Sequence, residues 1–177
     1  MQFTNDFYKY NNGYKYCSVC IDVFSRFLLC EPLLTKSSEE IIVGFRKIFK
    51  NNKPRIIVID GESGVWSNKT QLFLKSNDIT TILGGTNGAC IAERVIRSIK
   101  EIMFKYFNEK KTNNWISVIK DLVDIYNNRW HRTLIMSPIN ARSPENFDYI
   151  FERVNGKIII NEGSKNCKFK IGDKVRK

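Results

Sequence analysis

The chain has 177 residues, 42% of them apolar, with 29 Lys and Arg against 18 Asp and Glu, a net charge of +11. That is the size of one large domain with enough apolar material for a core, and the cationic excess favours a polyanionic partner such as nucleic acid. No stretch reaches the roughly 18 apolar residues of a membrane span, and the polar, aromatic opening from Met1 to Tyr16 does not read as a secretory signal.

In chain order, Asn11-Asn12-Gly13 between two aromatic segments predicts a hairpin turn. Lys15 to Leu29 follows as one long β-like run with Asp22 inside it. The run carries a CxxC, Cys17 and Cys20, but residues i and i+3 of a strand point to opposite faces. The five cysteines (Cys17, Cys20, Cys30, Cys90 and Cys167) are odd in number, and His131 is the single histidine. Free thiols in a reducing compartment are the reading, with neither a zinc site nor a disulfide framework.

Ser37-Ser38-Glu39-Glu40 matches a capping box, and Ile41, Ile42, Phe45, Ile48 and Phe49 follow at helical spacing. Asn51 to Pro54 ends that helix. Arg55 to Ile59 is a short apolar run of the kind buried in a parallel sheet, which completes a strand–helix–strand unit. A short helix is expected over Lys69 to Lys75, a strand over Ile79 to Leu83, and a flexible hinge over Gly84 to Gly88. From Ala89 to Phe107, Ala92, Val95, Ile96, Ile99, Met103 and Tyr106 form a helical stripe. A second helix is expected from about Asn114 to Asn128, through Trp115, Ile119, Leu122, Val123 and Tyr126. Ser137-Pro138 and Ser143-Pro144 break the chain, and the tail from Lys165 to Lys177 is basic with strand-like alternation at Lys168 to Val175.

Three acids stand out against this background. Asp22 lies in YCSVCIDVFSRF, Asp60 ends RIIVID, and Glu93 opens the long amphipathic helix. A carboxylate in an apolar strand is costly unless it is hydrogen-bonded, paired or bound to a cation. Ligands of α/β sheets collect beyond the carboxyl ends of strands, and Asp22 and Asp60 are expected to converge at one sheet edge. Hard oxygen donors of this type suit Mg²⁺ or Mn²⁺, and two such ions roughly 4 Å apart serve phosphoryl transfer. Arg97 and Lys100 share the helix face of Glu93, opposite the apolar stripe. Each acid also has a plain structural reading: Asp22 satisfied by an arginine or by backbone amides, Asp60 as a turn residue before Gly61, Glu93 as a first-turn acid complementing the helix dipole. Arg97 then makes an i,i+4 ion pair with Glu93, and His131 reads as structural.

Four segments in this order resemble the catalytic core of retroviral-type integrases, the DDE transposase group with a ribonuclease H-like fold. They are Ile21-Asp22-Val23-Phe24-Ser25-Arg26-Phe27, the strand ending at Asp60, Glu93-Arg94 with Arg97 and Lys100, and Tyr126-Asn127 with His131-Arg132-Thr133 and Ser137-Pro138. The flavour is that of integrases from retrotransposons and large DNA transposons, and the match spans about residues 8 to 145.

The resemblance implies an α/β fold with a mixed five-stranded sheet flanked by helices. It implies Asp22, Asp60 and Glu93 as a triad holding two Mg²⁺ or Mn²⁺ ions. Arg97 and Lys100, with Arg94 and Asn87, would contact DNA. The reaction implied is trimming of DNA 3′ ends followed by strand transfer into target DNA, performed by a homo-oligomer. A nuclear location follows only from that substrate. Residues 1–145 would form the core, and 146–177 a linker with the incomplete start of a small SH3-like barrel.

Two features depart from the family pattern. Thirty-two residues separate Asp60 from Glu93, slightly fewer than usual, and the run after Asp60 is Gly61-Glu62-Ser63-Gly64-Val65-Trp66. The spacing is tolerable in a loop; the altered run, with the His and Cys pairs of the family's N-terminal zinc-binding domain absent from this sequence, motivates an alternative, an inactive or domesticated core that binds DNA or assembles without chemistry. A ribonuclease H-type nuclease is a third possibility on the same fold.

Overall fold

The computed structural model describes residues 1–3, 7–84 and 90–153. The expected hinge beyond Gly84, with Asn87, and the basic tail lie outside the described residues.

The long β-like run breaks at Asp22. β1 (Tyr16–Ile21) and β2 (Leu28–Leu33) pair antiparallel, Tyr16 opposite Leu33 and Ile21 opposite Leu28. Pro32 stands opposite Cys17, whose own N–H turns outward to the Met1 carbonyl at 2.9 Å. The missing proline donor therefore leaves no gap in the ladder. On the outer edge of β1 the Met1 ammonium donates to the Cys17 carbonyl at 2.8 Å and the Phe3 N–H to the Lys15 carbonyl at 3.1 Å, so the opening residues run antiparallel to β1.

The turn expected at Asn11 to Gly13 follows a 3₁₀ turn, Phe7–Tyr10. Asn12 and Gly13 adopt φ of 51° and 82°, the left-handed region that Asn and Gly tolerate. The Asn11 side chain holds the start of the C-terminal helices: its oxygen accepts from the Trp115 and Ile116 N–H groups at 2.7 and 2.9 Å, and its nitrogen donates to the Asn113 carbonyl at 2.9 Å.

α1 (Ser38–Phe49) begins at the capping box. Ser37 accepts from the Glu40 N–H, whereas Glu40 reaches back to the Leu34 N–H at 3.1 Å. α1 crosses to β3 (Ile56–Ile59), which pairs parallel with β4 (Thr80–Leu83); α2 (Ser63–Trp66) and α3 (Asn68–Ser76) lie between them. α4 (Cys90–Lys110) and α5 (Ile119–Asn128) follow, then α6 (Pro138–Ala141). α5 starts later than its apolar spacing predicts, because Trp115 is anchored by Asn11 and buried against Phe3, its ring stacked 4.2 Å from the Phe3 ring.

Strand alternation divides the core. Cys17 and Leu28 face Val95, Ile99, Met103, Trp115 and Leu122 of the C-terminal helices, while Leu33 with Tyr16 and Cys20 faces Ile41, Phe45, Leu74 and Ile79. Cys17 and Cys20 thus lie on opposite faces. Burial pushes the Cys20 thiol up to about 11. A third cluster joins Leu134, Ala141 and Ile150, so packing continues past residue 145 into the helical residues 147–153.

The fold is α/β, but the sheet departs from expectation. The described residues form two two-stranded sheets, β1 with β2 and β3 with β4, rather than one sheet of five. Of the hairpin expected around the Asn11 turn, the described residues before that turn show the pairing of residues 1–3 with the first half of β1.

Candidate functional site

Asp60 follows the last residue of β3, and the segment after it is a built structure. Gly64 is pressed against the Lys36 carbonyl, where a Cβ would also lie 2.6 Å from the Ile41 side chain. Val65 is buried against α1 and α3. The Trp66 indole N–H donates to the Asp60 carbonyl at 2.8 Å, and the Gly64 carbonyl accepts from the Ser67 and Thr70 hydroxyls. In the sequence this run departs from the family pattern; in the structure its glycine and tryptophan fix the backbone of Asp60. The Asp60 carboxylate itself is exposed and has no hydrogen-bond or ion-pair partner among the described residues.

Asp22 is different. It opens the turn from β1 to β2, its N–H donating to the Phe27 carbonyl at 2.9 Å. Its carboxylate accepts from the Phe24 N–H at 3.3 Å, the Ser25 N–H at 3.1 Å and the Ser25 hydroxyl. Both oxygens are thus engaged within the turn. This is the backbone-amide reading of Asp22, and the Asp-x-x-Ser spacing is its sequence signal.

The two aspartates do not converge. Lys36, just past β2, bonds Glu62 at 2.9 Å and stands 5.5 Å from the Tyr16 ring centroid, so the end of β3 lies at the end of β2 and the start of β1. At the other edge, Arg142 donates to Asn52, ahead of β3, at 2.7 Å and stacks 4.3 Å from the Phe27 ring centroid. β3 therefore runs parallel to β2 and opposite to β1. The expectation that Asp22 and Asp60 share one sheet edge is corrected: Asp22 lies beyond the carboxyl end of β1, towards the edge where β3 begins. A strand–helix–strand crossover imposes this direction once the β-run is split into a hairpin.

Glu93 sits in the first turn of α4, exposed and without a partner among the described residues. Arg94 and Arg97 are exposed and Lys100 is half-buried, while Val95, Ile99, Met103 and Phe107 are buried, which gives the two-faced helix read from the sequence. No ion pair joins Glu93 to Arg97.

Arg26 and His131 form a further basic group beside α4. Burial lowers the Arg26 guanidinium below its ordinary value, and the neighbouring Cys90 and Arg94 also act on it. Burial, then Arg26 and Arg94, lower the His131 imidazole below its usual range. The His131 backbone N–H donates to the Met136 carbonyl at 2.9 Å, a structural role.

Among the described residues no three of His, Cys, Asp and Glu gather around one point. Among the described residues Asp60 and Glu93 offer hard-oxygen donors without a partner, whereas both Asp22 oxygens accept hydrogen bonds within the β1–β2 turn. No helix among the described residues is long and apolar enough to cross a membrane.

Comparison with known proteins agrees with the fold. Residues 1–87 match the integrase core domain family. A transposon-derived protein of Caenorhabditis elegans, F54H12.3, described as putative and uncharacterized, is 26% identical over 171 residues, 95% of this chain; the chain spans 56% of that relative's length. The catalytic core domain of HTLV-2 integrase, solved with magnesium in a trimeric form, superposes with a TM-score of 0.63 at 23% identity, over 72% of this chain and 85% of that one. The simian T-cell lymphotropic virus intasome, solved with the PP2A regulatory subunit B56 gamma, gives a TM-score of 0.69 at 17% identity, over 81% of this chain and 52% of that one. In sequence and in fold, this chain resembles the catalytic core of retroviral-type integrases.

Proposed function

We propose that this chain is the core of a DNA-cutting and DNA-joining enzyme, a polynucleotidyl transferase that processes 3′ ends and transfers strands. The observation that carries this reading is Asp60, an exposed carboxylate held beyond the carboxyl end of β3 in an integrase-like fold. Glu93 is the second acid of the proposed site, and Asp22 secures the β1–β2 turn. Mg²⁺ or Mn²⁺ is the cofactor class that such oxygen donors suit, supplying charge stabilisation at a phosphate. Arg97 and Lys100, on the Glu93 side of α4, are the proposed DNA contacts, with Arg94 and Asn87 beside them. A homo-oligomer on DNA, and a nuclear location where the host has a nucleus, belong to the same proposal.

The test is a DNA-joining assay with Mn²⁺. Asp60→Asn and Glu93→Gln should each abolish joining and leave the thermal midpoint unchanged; full activity in either variant removes that acid from the site. Arg97→Ala and Lys100→Ala should each weaken DNA binding and reduce the salt slope by about 1.

A second reading, a DNA-binding or assembly module without chemistry, is favoured by the placement of Asp22 towards the edge where β3 begins, away from Asp60. Wild-type protein that binds DNA but takes up no Mn²⁺ at millimolar concentration and joins no ends would establish it.

A further inference from the structure

The loop from α5 to α6 carries the run Arg129-Trp130-His131-Arg132. Its backbone is fixed on both sides of the tryptophan. The Arg129 N–H bonds the Tyr126 carbonyl at 3.2 Å, and Arg129 then leaves the helix in an extended conformation, φ −75° and ψ 142°. The His131 N–H bonds the Met136 carbonyl at 2.9 Å, and the Leu134 and Ile135 N–H groups return to the His131 carbonyl at 3.1 and 2.9 Å. Leu134, fully buried with Ala141 and Ile150, anchors the loop to the core. Between these clamps Trp130 is 65% exposed, and its ring has no hydrogen-bond, aromatic or cationic partner among the described residues. Apolar side chains exposed singly are ordinary; the surroundings set this one apart. Arg129 and Arg132 flank it and are exposed. His131, next in the chain, lies within electrostatic reach of Arg26 in the β1–β2 turn and of Arg94 in the first turn of α4. None of these four arginines has an ion-pair partner among the described residues. The acid that Arg26 feels is Asp22, whose oxygens are engaged in the turn.

Charge and ring together choose the ligand. Guanidinium groups hold phosphates of any nucleic acid, single-stranded or duplex. An indole face adds to that only where a base has left its stack, because a paired base keeps both of its faces covered. We propose that Trp130 is a stacking platform for an unpaired DNA base, with Arg129 and Arg132 holding the phosphates on either side of it. The inference rests on the proposed reading of this chain as a DNA-joining core, and it names the form of DNA taken: a frayed or single-stranded end, beside the turn of α4 that carries Glu93. A platform whose backbone is already clamped loses little freedom when the base arrives, which is the advantage of the bonds at Arg129 and His131.

The experiment measures fluorescence anisotropy of labelled oligothymidylate and of a blunt duplex of equal length, with EDTA present so that no joining occurs. Trp130→Ala should weaken oligothymidylate binding by about tenfold or more, and should leave duplex binding and the thermal midpoint unchanged. Trp130→Phe keeps a ring and should recover most of the loss, whereas Trp130→Leu, apolar without a ring face, should not. Equal weakening of both DNA forms by Trp130→Ala overturns the proposal, as does no weakening of either. Full recovery by Trp130→Leu shows a plain apolar contact, and self-association of the wild type that Trp130→Ala abolishes assigns the ring to a second copy; either result also overturns it. The proposed function is tested separately. Duplex binding and joining by a chain indifferent to Trp130→Ala remove this inference alone, and a chain that stacks oligothymidylate on Trp130 but joins no ends with Mn²⁺ removes the joining activity alone.

Discussion

The side chain of Asn127 bonds both backbone groups of Leu28, accepting from its N–H at 2.8 Å and donating to its carbonyl at 2.9 Å. Both residues are buried, and this contact fastens the end of α5 to the start of β2. An asparagine amide matches a peptide group in having one donor and one acceptor side by side, so it substitutes for a neighbouring strand.

Asn127→Leu should therefore leave a buried N–H and a buried carbonyl unpaired. The cost expected is about 2–4 kcal/mol of folding stability, measured by urea denaturation. A loss below about 0.5 kcal/mol would show that water replaces the amide, because surface-like changes fall in that range.

Asp22 separates structure from chemistry in a second experiment. Asp22→Ala removes the acceptors for Phe24 and Ser25 and should cost about 1–2 kcal/mol. Asp22→Asn keeps an oxygen acceptor in the turn and should retain DNA joining within about threefold, a small change on the transition-state scale. Joining abolished in Asp22→Asn, with an unchanged thermal midpoint, would return Asp22 to the catalytic acids.

The two aspartates also mark how far the sequence was legible. The identities of α1, α4, α5, β3 and β4 followed from apolar spacing, and the capping signal at Ser37 placed the start of α1 correctly, whereas α2 and α6 carry no such spacing. The faces of Cys17 and Cys20 followed from strand alternation alone. Asp22 was misplaced because a continuous apolar run from Lys15 to Leu29 conceals a hairpin: the turn Val23-Phe24-Ser25-Arg26 contains no glycine, and Arg26 takes the left-handed conformation, φ 58°, without one. Splitting that run reverses strand direction and moves Asp22 to the other edge. The late start of α5 was hidden for another reason, since the Asn11 side chain that captures the Trp115 and Ile116 amides is over a hundred residues away. Local pattern carries no trace of such a contact.

His131 gives the fold a pH dependence of definite sign. Burial, Arg26 and Arg94 all favour its neutral form, so its folded value lies below the ordinary 6.5. The unfolded chain then binds more protons between the folded value and 6.5, and stability rises with pH through that window. The contribution is fully present above pH 6.5 and is lost on acidification towards the folded value. His131→Gln should flatten this part of the stability–pH curve, whereas a slope unchanged in the variant would assign it to other groups.

The loop after Asp60 allows a test of positioning, because its two glycines meet different surroundings. A Cβ at Gly61 touches nothing within 4 Å, and one at Gly64 meets the Lys36 carbonyl and the Ile41 side chain. The carbonyl belongs to backbone held by the start of α1 and cannot yield as a side chain tip would. Gly64→Ala should push α2 away from α1, costing about 1–3 kcal/mol as overpacked sites do. It should also lower DNA joining, since the Trp66 bond to the Asp60 carbonyl depends on the seat of α2. Gly61→Ala should change stability by less than about 0.5 kcal/mol and is the control in the same loop. Paired thermal melts and joining assays decide the point: equal effects from the two alanines would mean that α2 docking does not position Asp60.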